Sequence, residues 1–411
     1  MKLVTFPALL IAPVFLAAQY TGTGSVTRGK AITTTENIFN CAGGRRAGLG
    51  SISSSDGKNW IVPAKTNFSD NQFPFSADLY NSCNGNTYAN ATEALGDLND
   101  SDVVTIEPDG EIITAFIFAD NYFELYINGI PAGKDRVPFT PFNSSIVRFR
   151  VNRPFTIAML LVDWEENLGV GSELNGAYAC HPGDGGVVAV FKNANNETLA
   201  ITNQKWKAQT FYTSPVRDLS CPAESGNVRL SGNCSTENAQ ECSDDYALHW
   251  VIPENATGRF FDDQDWPFAK EYPNDIIGIN NKPAYTNFTE IFDDPDRDAA
   301  FIWSSNVVLD NTVIVRYTLP SATSTEIQPE NPSKIIIYPN PATNEIRIAG
   351  VDDLSVANLR KVTICDIFGQ EMQVLHSPDR GHIILNSMVP GLYFVRMYTE
   401  DRIYTRPVII Q

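Results

Sequence analysis

The stretch AFIFADNYFELYING, residues 115–129, carries the strongest structural signal in the chain. After Asn121, the apolar residues Phe123, Leu125 and Ile127 occupy every second position, which is the period of a β-strand with one buried face. Asn128-Gly129 is the dipeptide that two-residue type I′ hairpin turns prefer. The stretch therefore predicts strands that meet in a tight β-hairpin.

Similar runs recur along the chain, as SIVRFRV at 145–151, VVAVF at 187–191 and NTVIVRYTL at 311–319. Clusters of Gly, Pro, Asn and Asp separate these runs, and no long segment shows the 3.6-residue period of a helix. This pattern predicts an all-β fold made of β-sandwiches or jelly rolls. It excludes a doubly wound nucleotide-binding fold.

The chain has 411 residues, which is more than one hydrophobic core usually supports. We predict a β-sandwich or jelly roll at residues 20–165, followed at 166–319 by a second sandwich or a continuation of the first. Residues 320–334, PSATSTEIQPENPSK, lack apolar periodicity and are predicted to be a semi-extended linker. A separate small β-sandwich with an immunoglobulin-like architecture is expected at residues 335–411.

The charge balance limits the classes of partner. Thirty Lys and Arg residues against forty-eight Asp and Glu residues give a formal net charge of −18. Such a chain repels phosphate backbones and anionic membranes, so we expect no nucleic-acid partner. The same acidity makes calcium the one cofactor worth considering.

The N-terminus, MKLVTFPALLIAPVFLAAQ, has a basic Lys2, an apolar run and small residues at Ala17 and Ala18. This pattern predicts a secretory signal peptide at residues 1–19. A membrane anchor is the alternative, but it requires about 20 uninterrupted apolar residues. We therefore expect no transmembrane segment in the mature chain.

Export places the cysteines in an oxidising compartment, where they pair. Six lie in the main body, and sequence alone leaves fifteen connectivities open. Pairing between neighbours is our expectation, and a buried free thiol is expected for Cys365, which sits in an alternating strand. The expected pairs are Cys41–Cys83, Cys180–Cys221 and Cys234–Cys242.

The C-terminal segment has an ordered set of motifs: YPNP at 338–341, CDIFGQEM at 365–372 and VPGLYFVRM at 389–397. In this order they resemble the type A C-terminal sorting domain of the type IX secretion system. Cys365, Arg402 and Arg406 depart from the usual pattern. The matching motif residues are Tyr338, Pro339, Asn340, Pro341, Asp366, Gly369, Gly391 and Tyr393.

This resemblance implies a route for the protein. Members of the family cross the inner membrane with a signal peptide and the outer membrane with the sorting domain, which type IX machinery recognises. The protein is therefore expected to be secreted or held on the outer-membrane surface of a Gram-negative bacterium. Its function is expected to lie in residues 20–320.

The main body resembles galactose-binding-like jelly-roll domains in the residue 115–129 stretch, in FDDQDWPFA at 261–269 and in FIWSSN at 301–306. The order of these phrases differs from that of a usual single copy. The resemblance implies carbohydrate binding, in which an exposed aromatic face stacks on a sugar and fixed polar groups bind its hydroxyls.

The best candidate loop for such a site is DWEENLGVGSE, residues 163–173, because it places acids, an amide and glycines directly after an apolar strand. Trp206, Trp250 and Trp266 are further aromatic candidates. The predicted ligand-binding residues are Trp164, Asp163, Glu165, Glu166 and Asn167.

Two further hypotheses concern cations and catalysis. Asp294, Asp296 and Asp298 alternate in a way that can wrap oxygen ligands around calcium, although a solvated acidic turn explains them as well.

Acid pairs could serve a glycoside hydrolase, but the sequence has no G-x-S-x-G, H-E-x-x-H or comparable catalytic motif. We therefore expect a non-catalytic carbohydrate-binding or adhesive protein, with a glycoside hydrolase or a structural surface protein as alternatives.

Overall fold

The computed structural model describes residues 20–321, 335–350, 361–366, 371–376, 382–385, 388–398 and 403–411. The predicted signal peptide at 1–19, Gly369 of the sorting motif, and nearly all of the predicted linker lie outside these residues. The chain divides into two compact units, up to Pro320 and from Ser321 onward.

The first unit is built almost entirely of strands. Its strands are β1 Ser25–Arg28, β2 Ile32–Thr35, β3 Leu49–Ser53, β4 Asn59–Val62, β5 Ala77–Asn81, β6 Asn86–Thr87, β7 Val103–Thr105, β8 Glu111–Asp120, β9 Tyr122–Ile127, β10 Ile130–Lys134, β11 Ser144–Val151, β12 Phe155–Val162, β13 Glu173–Asn175, β14 Tyr178–His181, β15 Gly186–Asn193, β16 Thr198–Ile201, β17 Lys207–Val216, β18 Ala223–Ser225, β19 Val228–Leu230, β20 Tyr246–His249, β21 Lys270–Tyr272, β22 Phe301–Trp303 and β23 Asp310–Leu319. Its helices are α1 Ala91–Gly96, a 3₁₀ turn at Asp100–Asp102, α2 Asn274–Ile277, α3 Pro283–Thr286 and α4 Thr289–Phe292.

Two large sheets organise this unit. One has seven strands in the order β1-β20-β17-β23-β12-β9-β10. The other has nine, in the order β21-β22-β15-β8-β11-β5-β6, with β16 beside β15 and β7 beside β11. Both sheets take strands from before and after residue 165, so the two predicted segments share both sheets.

The predicted hairpin is present as β9 and β10. Asn128 and Gly129 have φ angles of 55° and 85°, the left-handed values that a type I′ turn requires at both central positions. The preceding strand β8 belongs to the nine-stranded sheet, whereas β9 belongs to the seven-stranded one. The chain thus crosses from one sheet to the other between Asp120 and Tyr122.

The two sheets pack face to face as a β-sandwich, which confirms the predicted all-β class. Phe149 of β11 meets Phe155 of β12 edge to face, with ring centroids 5.8 Å apart. One core cluster takes buried residues from both sheets, among them Ile117 of β8 and Leu125 of β9. Each such large side chain contributes about 1.5–3 kcal/mol when it leaves water.

The other face of the seven-stranded sheet is also covered. Tyr122, Leu160 and Ile314 on that face share a second apolar cluster with Ala47 and Phe68 from the N-terminal segment. Strand β12, FTIAMLLV, is buried at every position as a result. The continuous apolar run in β12 reflects burial on both faces, unlike the one-sided alternation of an exposed sheet.

The three disulfides of the body are Cys41–Cys83, Cys180–Cys242 and Cys221–Cys234. The expected Cys41–Cys83 pair is present, and the expected Cys180–Cys221 and Cys234–Cys242 pairs are wrong. The hairpin β18–β19 folds Cys221 and Cys234 towards each other. Cys180 and Ala239 exchange backbone hydrogen bonds of 3.0 and 2.9 Å, which brings Cys242 to Cys180.

Peptide mapping under non-reducing conditions is expected to recover these pairs. Replacing Cys180 and Cys242 by Ser should lower the free energy of unfolding by about 4 kcal/mol, and replacing Cys221 and Cys234 by about 3 kcal/mol, because the first bridge closes the longer loop. Their sequence separations are 62 and 13 residues. Peptides linked as Cys180–Cys221 would contradict the structure.

The second unit is a small sandwich. Its strands are β24 Ile335–Tyr338, β25 Glu345–Gly350, β26 Lys361–Cys365, β27 Glu371–His376, β28 His382–Ile384, β29 Gly391–Tyr398 and β30 Ile403–Ile410. They form a three-stranded sheet, β24-β25-β28, and a four-stranded sheet, β27-β26-β29-β30. Ile346 of the first and Val395 of the second lie in one buried cluster.

The sorting motifs hold this unit together. The Asn340 side-chain oxygen accepts a hydrogen bond of 2.9 Å from the backbone N–H of Ile409, and the Tyr393 hydroxyl donates one of 2.8 Å to the Val389 carbonyl. Gly391 begins β29, and Asp366 directly follows β26. Cys365 is a buried free thiol, as expected.

Candidate functional site

The loop that sequence reasoning favoured is buried. Trp164 has 1% of its surface exposed, and its indole N–H donates a hydrogen bond of 3.1 Å to the Gly48 carbonyl. Trp206, Trp250 and Trp266 are also buried. Trp164, Trp250 and Trp266 lie in the apolar cluster on the outer face of the seven-stranded sheet, and Trp206 lies in the core between the two sheets. None of them therefore has the open face that the hypothesis required.

Glu165 and Asn167, polar residues of the same loop, are occupied by hydrogen bonds within the protein. Glu165 is buried and accepts hydrogen bonds from the Gly169 N–H, at 3.0 Å, and from the Tyr212 hydroxyl, at 3.1 Å. Burial raises the pKa of Glu165 to about 7. Asn167 accepts a hydrogen bond of 2.8 Å from Lys30 Nζ. These contacts fix the shape of the loop.

Glu166 is the least buried of the predicted carboxylates. It pairs with Arg45 at 3.0 Å, and Arg45 also pairs with Glu173 at 2.8 Å. Its carboxylate accepts a further hydrogen bond of 2.8 Å from the Leu174 N–H. Arg45 thus joins the two ends of the loop.

Asp163 belongs to a group of four carboxylates, here called the carboxylate cluster: Asp120, Asp163, Glu173 and Asp184. Asp163 is 4% exposed, and its side chain accepts no hydrogen bond from any described residue. A Cβ atom at Gly183 would lie 3.2 Å from Asp163 Oδ2 and 3.6 Å from Glu173 Oε1. Gly183 therefore leaves room for both side chains.

The carboxylate cluster favours the protonated state. Burial raises the pKa of Glu173 to about 7, although Arg45 opposes the shift, and raises the pKa of Asp184 to about 6. Burial, reinforced by repulsion from neighbouring carboxylates, raises the pKa values of Asp120 and Asp163 well above the ordinary range. Protons therefore neutralise part of this charge.

The predicted calcium residues lie on a turn after α4. The Asp294 carboxylate accepts a hydrogen bond of 3.0 Å from the Asp296 N–H, and Asp296 and Asp298 are exposed. Within the described ranges, no three Asp, Glu, His or Cys side chains come together in a way that could hold a metal ion. The geometry gives the calcium hypothesis no support.

A groove opens at the edge of β11, and sequence reasoning missed it. The part of β11 from Ser144 to Ile146 pairs with β5, and the part from Arg148 to Arg150 pairs with β7. A groove of about 230 Å³ lies where one partner strand gives way to the other. Its lining residues are Pro74, Phe75, Ser76, Ala77, Leu98, Ser101, Asp102, Val104, Ala132, Arg136, Ile146, Val147 and Arg148.

Phe75 is the exposed aromatic of this groove. Its side chain is 38% exposed and packs edge to face on Phe68, with ring centroids 5.4 Å apart. Lys134 Nζ lies 4.2 Å from the Phe75 ring centroid and donates hydrogen bonds to three backbone carbonyls, at 2.8, 2.9 and 2.7 Å. The position of the ring is therefore fixed from its inner side.

Two arginines supply polar groups to the groove. Arg136 donates a hydrogen bond of 2.6 Å to the Ser76 carbonyl. Arg148 donates one of 3.4 Å to the Asn99 carbonyl, at the long limit of such bonds. Asp102 lies across from them in the 3₁₀ turn, where it accepts a hydrogen bond of 2.8 Å from the Asn99 N–H. The groove thus combines an aromatic ring with charged donors and an acceptor.

Comparison with known families concerns the second unit. Residues 336–411 match the family described as a secretion system C-terminal sorting domain. No curated protein and no solved structure matches the chain significantly, so the likeness of the body to galactose-binding-like jelly rolls has no support from a relative. Within the described residues, no helix has the length and apolarity to cross a bilayer. The match of residues 336–411 to this family supports export of the chain by the type IX secretion system, to the cell surface or beyond.

Proposed function

We propose that the exported body, residues 20–320, is a non-catalytic glycan-binding protein and that the groove at β11 is its site. The observation that carries this proposal is Phe75, a partly exposed ring that is held in place beside Arg136, Arg148 and Asp102. Sugars bind proteins through their C–H faces on aromatic rings and through hydroxyls on fixed polar groups.

The size of the groove supports a small ligand. Pockets for drug-sized molecules measure about 300–1,000 Å³, and this groove has about 230 Å³. It suits one or two sugar units of a longer chain, with the rest of the polymer in solvent. A surface protein that holds one end or one branch of a glycan in this way is adhesive.

The number of carboxylates in the groove favours binding over hydrolysis. Glycoside hydrolases use two carboxyl groups on opposite sides of the scissile bond. Asp102 is the single carboxylate among the described residues that line the groove. The members of the carboxylate cluster are instead buried or half-buried and lie outside the groove lining.

Replacing Phe75 tests the proposal. A glycan array and calorimetry with the full secreted chain should identify a ligand, and Phe75→Leu should weaken its binding about tenfold, because the aliphatic side chain keeps volume but loses the aromatic face. Phe75→Ala should weaken binding further. Phe260→Ala is the matched control, since Phe260 is 92% exposed and lies outside the groove lining.

Thermal melting of each variant separates a binding defect from unfolding. Unchanged affinity in a folded Phe75→Leu protein would exclude the groove as the site. If no glycan binds the wild-type chain and the chain instead associates with itself, the structural-protein alternative replaces glycan binding.

A further inference from the structure

We infer that the ligand of the groove is an acidic glycan, whose carboxylate or sulfate group is held by Arg148; this inference rests on the proposed function above. Arg148 is partly exposed on the groove wall. Within the described part of the chain, no carboxylate lies within ion-pairing distance of its guanidinium. A guanidinium has five N–H donors, and one long bond to the Asn99 carbonyl uses a single donor.

Arg136 adds positive charge to the same groove. Its closest carboxylate is Asp78, at 3.8 Å from Arg136 Nε. That carboxylate already accepts hydrogen bonds from the side-chain amides of Asn81, Asn84 and Asn86, at 2.9, 2.6 and 2.8 Å. Asp78 is therefore an ion-pair partner of Arg136 without a hydrogen bond to it, and the Arg136 guanidinium also lies 5.6 Å from the Phe75 ring centroid.

Arg148 is consequently the arginine of the groove that has no ion-pair partner among the described residues. Arg136, Arg148 and Asp102 are the charged residues that line the groove, while the chain as a whole carries a formal charge of −18. A guanidinium binds a carboxylate or sulfate with two parallel hydrogen bonds, which gives geometric specificity as well as energy. The long-range repulsion from the acidic body discourages non-specific adsorption of polyanions. Binding of an acidic glycan would therefore indicate a specific site such as the groove and not general attraction to the protein surface.

Phe75 and Arg148 reach the same ligand from different segments. Phe75 precedes β5, and Arg148 lies within β11, where β5 and β7 pair with successive parts of one strand. A sugar ring on Phe75 leaves its acidic substituent free to meet the guanidinium across the groove. The aromatic ring supplies affinity for the sugar, and the arginine selects its charge.

The test compares three oligosaccharides on the full chain: a uronic-acid oligomer, the same oligomer with its carboxyl groups reduced to alcohols, and a sulfated oligomer of similar length. An acidic oligomer should bind at least about tenfold more tightly than the reduced one. The uronic-acid and sulfated arms show which anion the groove prefers. Either preference supports the inference.

Variants of Arg148 localise the effect. Arg148→Gln should weaken binding of the acidic oligomer by about tenfold or more and leave binding of the reduced oligomer unchanged. Arg148→Lys should fall between, since it keeps the charge and loses the two-pronged geometry. Arg297→Gln is the control, because Arg297 is an exposed arginine outside the groove.

The outcomes separate this inference from the proposed function. Equal binding of acidic and reduced oligomers that still depends on Phe75 would overturn the charge preference and keep glycan binding. Acidic binding that Arg148→Gln leaves intact in a folded protein would also overturn it. Absence of binding to all three oligomers and to the wider array would overturn both.

Discussion

The protein is expected to be more stable at pH 5 than at pH 8. The carboxylate cluster is buried or half-buried, and Glu173 and Asp184 have pKa values of about 7 and about 6 in the folded state, against 4.5 and 3.8 for the ordinary groups. The folded state therefore binds more protons than the unfolded state between these values. By linkage, stability falls as the pH rises through that window, from about 4 to about 7.

Several carboxyl groups with raised pKa values, inside and outside the carboxylate cluster, determine the size of this effect. Glu173 alone contributes on the order of 3 kcal/mol, because one unit of pKa is about 1.4 kcal/mol. Glu165, Asp135 and Asp310 add to it, since burial raises their pKa values to about 7, 7 and 6. Burial lowers the pKa of His249 from 6.5 to about 3, so this group acts in the opposite direction, and the several carboxyl groups outweigh it. The charged or titratable neighbours of the carboxylate cluster are Arg45, Lys282, His181, Glu165 and Glu166.

Calorimetric melting of the full chain at pH 5, 6, 7 and 8 measures the effect. The transition of the body should rise by at least about 5 °C from pH 8 to pH 5. Asp163→Asn should stabilise the body at pH 8 and flatten the pH dependence, because it removes a buried carboxyl group whose ionisation is opposed by burial and by neighbouring carboxylates. Asp296→Asn, on an exposed turn, is the matched control. A melting temperature that increases towards pH 8 would contradict the account.

Trp164→Ala is expected to cost about 3–5 kcal/mol of folding free energy. Its indole is fully buried, lies edge to face on Tyr122 with ring centroids 5.9 Å apart, and satisfies the Gly48 carbonyl. Truncation leaves a cavity in the outer cluster and an unpaired carbonyl. Phe260→Ala, at a 92% exposed position, should change stability by less than about 0.5 kcal/mol.

Chemical denaturation measures the free energy of unfolding of both variants. Titration calorimetry with the glycan ligand measures the affinity of the folded protein. We expect the folded Trp164→Ala protein to bind the ligand with unchanged affinity, because Trp164 does not line the groove. A stability loss below about 1 kcal/mol together with lost binding would instead restore Trp164 as a sugar platform.

The sequence was sufficient for the fold class because the evidence for strands is local. The two-residue period and the Asn128-Gly129 turn act over a few residues, and the structure places both as predicted. The sorting domain was recognisable for a similar reason, since its motifs follow one another in a fixed order. Burial of the second face of a strand depends, however, on residues that are distant in the sequence. Strand β12 and the Trp164 loop are covered by residues far away in the chain.

The groove and the disulfides depend on long-range register. Phe75 and Arg148 line one groove because β5 and β7 both pair with β11, and no short motif encodes that arrangement. Cys180 bonds to Cys242 because its strand pairs with the segment around Ala239, which bypasses the nearer Cys221. Pairing each cysteine with its neighbour in the sequence therefore gives the wrong disulfides where a hairpin such as β18–β19 joins two cysteines to each other.

A crystal structure of the full chain with a bound acidic oligosaccharide tests the central claim most directly. The account predicts density for a sugar ring against Phe75, with its acidic group within hydrogen-bonding distance of the Arg148 guanidinium. Density on another surface at saturating ligand, with an empty groove at β11, would contradict it.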